Sequence, residues 1–204
     1  MKVLLFLCFL LSLAQADAPF WKRKDVYDTL VEKKQVAVSA KAVQEETEAS
    51  MSVEAAGIVN APLAFTFETV QQYDKLKEIS SYFHESKYDA TKKQLYVHMS
   101  AMGYHARMTL KLEEKEEREP RAHMIHFECI QGNFLGMKGV IRLEDFQKRK
   151  TEMSLKTDYK TDKLPLPKAL MGFGLEVVAR KVAELMRSYI EDEHQKLLKK
   201  VPPK

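Results

Sequence analysis

The sequence predicts an α+β fold in which a curved antiparallel β-sheet wraps around a long C-terminal α-helix, with two short helices after the first strand. Two observations lead to this prediction. After Ser80, apolar and polar residues alternate with only short breaks, which is typical of consecutive antiparallel strands. After Leu164, apolar residues recur at helical spacing, and the helix that they predict is the only element long enough to cover the concave face of such a sheet.

The first element is the segment MKVLLFLCFLLSLAQADA, which has the features of a secretory signal peptide. Lys2 precedes an apolar run, and the small residues Ala16 and Ala18 allow cleavage after either of them. The run is shorter than a membrane-spanning helix. We therefore expect residues 1–18 to be removed and the mature chain to be exported, to the periplasm in a bacterium or otherwise out of the cell.

Composition narrows the class of the mature chain. Cleavage would leave Cys129 as its one cysteine, so the fold has to depend on a hydrophobic core and not on disulfides. The lack of an Asn-x-Ser/Thr acceptor fits a bacterial periplasm. The formal charge is only +4, the charged residues are mixed in sign, and no nucleic-acid-binding motif is present. We therefore expect no nucleic-acid partner.

The first half of the mature chain changes its apolar period twice. Residues 19–34 form a polar lead-in with some helical spacing. Alternation in residues 36–42 and again in 51–59 predicts two strands that could pair as a hairpin. Residues 62–70, which begin with a proline, and residues 73–79 then follow helical spacing and predict two short helices.

Six strand-like runs and one long helix complete the chain. The runs are SYFHESKYDA, KQLYVHMSAM, HARMTLKLEEKEE, RAHMIHFECIQ, MKGVIRLEDF and KTEMSLKTDYK. Pro165 and Pro167 mark the approach to the helix, whose broad apolar face indicates burial. We expect one domain over residues 35–198 and a short tail at 199–204.

Several short motifs occur in a fixed order along these elements. They are GIVNAP at 57–62 leading into Phe65-x-Phe67, YDKLKEI at 73–79, Ile125-x-Phe127, Gly132, GVIRL at 139–143, and Leu164-Pro165. In these motifs and their order the chain resembles the START-like (SRPBCC) helix-grip superfamily, specifically its polyketide cyclase/dehydrase and lipid-transport branch. The resemblance implies a hydrophobic cavity between the sheet and the long helix that holds lipids, sterols, quinones or polyketides.

Such a cavity needs an apolar lining, and the frequent methionines suit a lining that adapts to varied ligands. We therefore expect a hydrophobic small molecule or lipid as the partner and no cofactor. The candidate lining residues are Tyr96, Met99, Met108, Leu110, Ile125, Phe127, Ile141, Met153, Leu155, Met171, Leu175, Val178 and Val182.

The histidines do not predict a metal site. His123 and His126 are three residues apart in a predicted strand, so they point to opposite faces. His98 and His105 flank a predicted turn and could approach each other across it, but no third ligand is evident. We therefore expect no bound metal.

Three functions stay open from the sequence. The first is a carrier or sensor of an apolar molecule in the cell envelope. The second is an enzyme of the cyclase or hydrolase type, which would have to bring ionisable residues into the cavity. No residue is assigned a catalytic role, and the ones to check are Tyr96, His98, Arg107 and Glu128.

The third is an envelope interaction protein with a filled core. Phe20 and Trp21 stand beside the basic run of residues 22–24, and such a cluster could touch lipid headgroups transiently. An ordinary tail at the start of the mature chain is the alternative for this segment.

Overall fold

The computed structural model describes residues 19–33 and 35–200; the expected signal peptide and residues 201–204 lie outside them. A 3-10 turn (Phe20–Lys22) and helix α1 (Lys24–Glu32) come first, followed by β1 (Ala37–Gln44) and β2 (Ala49–Val59). Next come α2 (Leu63–Val70), a second 3-10 turn (Tyr73–Lys75) and α3 (Leu76–Ile79). The remaining elements are β3 (Phe83–Asp89), β4 (Gln94–Ala101), β5 (Tyr104–Arg118), β6 (Arg121–Gly132), β7 (Lys138–Phe146), β8 (Lys150–Thr161) and α4 (Phe173–Lys200).

The strands form one antiparallel sheet in the order β1-β2-β8-β7-β6-β5-β4-β3. The predicted hairpin is present, with Ala37 opposite Ala56 and Gln44 opposite Ala49. Together with the long helix α4, this sheet confirms the predicted fold class. The short helices follow the second strand and not the first, because the hairpin places two strands ahead of Pro62.

Helix α4 begins later than the apolar spacing indicated. Pro167 accepts backbone hydrogen bonds from Leu170 and Met171 in a turn that precedes the helix. Gly172 then has a φ of +79°, a left-handed conformation that glycine adopts without a steric penalty. The helix therefore starts at Phe173, and the residues before it form a separate apolar loop.

The bend in the sheet requires glycine at two positions. Gly132 has a φ of +106° and lies beside a shift in the β5–β6 register after Thr109, the pattern of a β-bulge. A side chain on Gly139 would lie 2.6 Å from the carbonyl oxygen of Lys156 and overlap the ring of Phe127. A side chain at either position would meet the backbone of a neighbouring strand, at Arg107 or at Lys156.

The lead-in packs against the outer face of the sheet. Trp21 is only 6% exposed, and its Nε1 donates a hydrogen bond of 3.3 Å to Glu152 Oε1. Lys22 Nζ lies 2.6 Å from the same carboxylate oxygen. Leu30 of α1 is fully buried in a cluster that includes Ala56. Trp21 is therefore packed against the folded chain, which corrects the interpretation of this segment as an ordinary tail. Contact of the cluster with lipid headgroups stays a prediction.

Candidate ligand-binding cavity

A cavity of about 410 Å³ lies between the concave face of the sheet and α4. Its wall is formed by the inward side of each strand, because alternate residues of a strand point to the same face. In β5, for example, Ala106, Met108, Leu110 and Leu112 all line it. The core is therefore hollow, and the filled core that the interaction-protein hypothesis required is absent from the described part of the chain.

The structure brings together nearly all of the residues that the sequence analysis selected. Those in the cavity wall are Met99, Met108, Leu110, Ile125, Phe127, Ile141, Met153, Leu155, Leu175, Val178 and Val182. Their part in binding a ligand stays a prediction.

Two selected residues lie elsewhere. Tyr96 is three residues from Met99 in β4, so the two side chains point to opposite faces, and Tyr96 is on the outer one. Met171 lies in the turn before α4, where helical spacing does not hold, and it packs against the core without reaching the cavity.

Other lining residues were missed. Ala179 and Met186 lie one helical turn from the selected residues Leu175 and Val182, and Ala183 lies one turn from Ala179, so the period of α4 could have identified them. Phe134, Leu166 and Leu170 lie in loops, where no periodic signal exists. Strand β2 also lines the cavity, with Met51 and Val53 among its inward side chains. The alternation that predicted this strand could have identified them.

Polar groups in the wall are few. The Tyr73 hydroxyl donates a hydrogen bond of 2.8 Å to Glu114 Oε1. Burial, helped by Glu114, raises the pKa of Tyr73 above its usual value. Thr157 Oγ1 accepts from the backbone N–H of Val53 at 3.2 Å. Arg187 is the one charged residue among the described residues of the wall, and it has a contact of its own within the protein.

The residues on which the enzyme hypothesis depended lie outside the cavity. Tyr96, His98, Arg107 and Glu128 are absent from its wall. Partial desolvation, together with the nearby Arg107, lowers the pKa of His98. Because none of the four can reach a molecule held between the sheet and α4, that hypothesis loses its candidate acid and base.

The outer face carries a small histidine cluster. His98 Nε2 and His105 Nδ1 are 3.3 Å apart, so the approach across the turn that the sequence suggested does occur. The ring of His84 lies 5.0 Å from that of His98, and His84 Nε2 contacts Ser100 Oγ. Within residues 19–33 and 35–200, no three His, Cys, Asp or Glu side chains are arranged to hold a metal ion.

Cys129 is a buried core thiol. It is 1% exposed, and its Sγ donates a hydrogen bond of 3.3 Å to the carbonyl oxygen of Gln131. Burial raises the pKa of this thiol, so the reactive thiolate is disfavoured.

Exposed apolar side chains occur where the β4–β5 turn meets the start of α4. Met102 is 63% exposed and Phe173 is 78% exposed, and Val177 lies one turn further along the helix. A Cβ on Gly174 would lie 3.7 Å from Met102 Sδ, so the turn and the helix are adjacent. We call these three residues the apolar rim. Among the helices of the described residues, none has the length and apolar character to cross a membrane.

Comparison with known proteins shows the same fold. Residues 59–187, more than half of the chain, match the family model described as polyketide cyclase / dehydrase and lipid transport. No curated protein matches the chain significantly in sequence.

Three solved structures share the fold at low sequence identity. A STAR-related lipid transfer protein from Xanthomonas axonopodis aligns with a TM-score of 0.57 at 10% identity, covering 74% of this chain and 98% of that one. A START superfamily protein from Mycobacterium smegmatis gives 0.53 at 15%, with 72% and 98% covered. The Zhui aromatase/cyclase from a Streptomyces species gives 0.52 at 13%, with 73% and 96% covered. The family match and the shared fold confirm the resemblance that the sequence motifs indicated.

Proposed function

Because this chain belongs to the polyketide cyclase / dehydrase and lipid transport family, we propose that its cavity binds a lipid or another hydrophobic small molecule for transport or sensing in the cell envelope. The observation that carries the proposal is the cavity itself. Its volume of about 410 Å³ falls in the range of small-molecule sites, and its wall is almost entirely apolar.

The chemistry of the wall favours binding over catalysis. Among the described residues that line the cavity, ionisable side chains are limited to Tyr73, Tyr104 and Arg187. Tyr73 is committed to Glu114, and Arg187 has its own contact. A reaction would need an acid, a base or a nucleophile that converges on the ligand. An apolar wall instead removes hydrophobic surface from water, which is sufficient for a carrier.

The envelope location rests on the signal peptide expected at residues 1–18. A carrier in that compartment would shield an apolar molecule while it crosses water between membranes. The mass of the mature chain reports directly on this part of the proposal, since cleavage after Ala16 or Ala18 gives two defined masses.

The deciding experiment is native mass spectrometry of the protein purified gently from the envelope fraction, followed by solvent extraction and lipid analysis. We expect the processed chain to carry an added mass that is lost on denaturation. Ala106→Phe places a ring in the cavity and should reduce the cargo-bound fraction severalfold, because Ala106 is a buried lining residue.

Thr109→Phe is the matched control, since Thr109 lies on the same strand but points to the outer face. A bare mass in both variants and in the wild type, persisting after incubation with a lipid extract, would count against a carrier. A chemically altered cargo after incubation would instead favour an enzyme.

Loading and release of such a cargo would involve transient membrane contact, and the apolar rim is the surface that we assign to it. Lys168 is exposed in the turn five residues before Phe173, so a basic side chain precedes the rim in the chain. Basic residues beside exposed apolar ones suit an anionic lipid surface.

Phe173→Ser should lower co-sedimentation with vesicles of phosphatidylcholine and phosphatidylglycerol severalfold, because Phe173 is the most exposed residue of the rim. Leu198→Ser, an exposed site at the other end of α4, is the control and should sediment like the wild type. Equal sedimentation of Phe173→Ser and the wild type would assign the rim another role.

A further inference from the structure

The three histidines of the outer face lie side by side on neighbouring strands. His84 belongs to β3, His98 to β4 and His105 to β5. The centroids of their rings are 5.0, 5.5 and 5.8 Å apart. The hydrogen bond between His98 Nε2 and His105 Nδ1 requires one of these two nitrogens to be without a proton. The contact therefore belongs to the neutral state of the cluster, and each proton that the rings gain places a positive charge beside the others.

The charged neighbours of the rings come from the same strands. In the sheet register, His98 lies between Glu85 of β3 and Arg107 of β5. Lys87 Nζ is 2.6 Å from Glu85 Oε1, so that carboxylate already has a counter-charge. Arg107 and Lys87 together exceed Glu85 by one positive charge. Protonation of the rings therefore adds to an existing positive charge and does not neutralise a negative one.

This part of the outer face gains its charge in mildly acidic solution. Histidine is the side chain whose ordinary pKa lies between pH 5 and pH 8. Desolvation, followed by Arg107 and the other two rings, lowers the pKa of His98, so its proton arrives only in acid. Tyr96, which also lies on the outer face of β4, adds no charge in this range. The surface around the rings is therefore weakly charged at neutral pH and strongly positive in acid.

The histidine cluster adjoins the apolar rim. Ala101 pairs with Tyr104, so Met102 and Gly103 form the two-residue turn between β4 and β5. His105 is three residues beyond Met102, a separation of about 10 Å in a strand. The Debye length in about 0.1 M salt is also about 10 Å. Charge on the cluster therefore acts on any surface that the rim contacts.

The tip of this turn has an unusual residue for its geometry. Met102 has a φ of +48° and Gly103 a φ of +78°. Two-residue turns with this geometry favour Asn or Asp before the glycine. Met102 is 63% exposed, so neither turn geometry nor burial accounts for a methionine here. An exposed apolar side chain beside a surface that becomes positive suits insertion into an anionic lipid interface.

We propose that the cluster of His84, His98 and His105 makes the membrane contact of the apolar rim acid-dependent. Protonated, the cluster draws the rim onto an anionic lipid surface; neutral, it allows the rim to leave. This inference rests on the proposed function, because it regulates the membrane contact that we assign to the rim. Each positive charge near an anionic surface strengthens binding about fivefold, so one or two protons change the bound fraction measurably.

The test is co-sedimentation of the purified protein with vesicles of phosphatidylcholine and phosphatidylglycerol at about pH 7.5 and about pH 5.5, in about 0.1 M salt. Phosphatidylglycerol is anionic at both pH values. We expect the partition coefficient of the wild type to be about 5- to 25-fold higher at the lower pH. Vesicles of phosphatidylcholine alone should show no rise, and about 1 M salt should remove the rise.

The triple variant His84→Gln, His98→Gln and His105→Gln should bind equally at the two pH values, because glutamine keeps polar groups but gains no proton. His126→Gln is the matched control and should keep the full rise, since His126 lies on the outer face of β6 away from the cluster. His105→Gln alone, at an exposed position, should reduce the rise and tests the proposal even where the triple variant does not fold.

The outcomes separate this inference from the proposed function. Equal wild-type binding at the two pH values, or a full rise in the triple variant, would overturn the role of the histidines and leave the contact of the rim intact. Lack of vesicle binding at both pH values would overturn that contact and this inference together, while the cargo mass still decides the carrier function. Self-association in acid without lipid, measured by light scattering, would assign the surface to a second copy of the chain and overturn the proposal.

Discussion

Tyr73 makes the cavity wall sensitive to alkaline pH. It is 6% exposed and donates its hydroxyl proton to Glu114, which lies 41 residues away in sequence. Glu114 also accepts a hydrogen bond of 2.9 Å from Gln71 Nε2. The carboxylate thus joins the segment after α2 to β5 through two hydrogen bonds, and the one from Tyr73 exists only while Tyr73 keeps its proton.

The sign of the pH dependence follows from the raised pKa of Tyr73. The stability that the protonated hydroxyl contributes is fully present below the pKa of an unfolded tyrosine, about 10, and is lost as pH rises above it. We expect the free energy of unfolding, measured with urea between about pH 8 and pH 11, to fall more steeply for the wild type than for Tyr73→Phe. Parallel curves for the two proteins would show that Tyr73 does not contribute.

At the residue scale, the sequence predicted the face of the sheet on which a side chain lies better than it predicted the hydrogen-bond partner of that side chain. Alternation assigned Met108 and Leu110 to the cavity correctly, and the same rule excludes Tyr96, which was included against its parity with Met99. The bond between Trp21 and Glu152 spans 131 residues, and nothing in local sequence indicates it.

At the scale of elements, β7 has no room for a side chain at Gly139. A Cβ at this position would overlap Phe127 and approach the carbonyl oxygen of Lys156 at 2.6 Å, and a backbone oxygen cannot move aside cheaply. We expect Gly139→Ala to lower the free energy of unfolding by about 1–3 kcal/mol, the usual cost of overpacking.

Gly57→Ala is the control for this prediction, because its Cβ would meet Val36 Cγ2 at an ordinary contact distance of 3.4 Å. Its change in stability should be within about 1 kcal/mol of zero. Denaturant unfolding of both variants measures the difference. Equal losses of stability in the two variants would mean that replacing any strand glycine has this cost, and that the close approach at Gly139 is not its cause.

The kinds of elements were predictable, whereas some of their boundaries were not. Period-two runs gave the strands, and Pro62 followed by helical spacing gave α2. The start of α4 was placed too early because Met171 fits the helical stripe although it precedes Gly172, where the backbone turns left-handed. The register shift after Thr109 has no signature in the apolar pattern, since alternation does not count the residues in a bulge.

At the scale of the whole molecule, the resemblance to a family of hollow proteins predicted the cavity, and periodicity alone could not. A stripe of apolar residues has the same periodicity in the sequence whether its side chains pack against other side chains or line a cavity. Small residues on the helix, Ala179 and Ala183, face the cavity and leave room that larger side chains would fill.

The hollow core has a mechanical consequence. Space that the folded chain encloses but its atoms do not fill is lost when the chain unfolds, so the unfolded state has the smaller volume. Hydrostatic pressure therefore destabilises this fold more strongly than it would a protein of the same chain length with a filled core. A bound cargo occupies that space and reduces the volume change of unfolding. The pressure at which the protein unfolds therefore measures how completely the cavity of about 410 Å³ is filled.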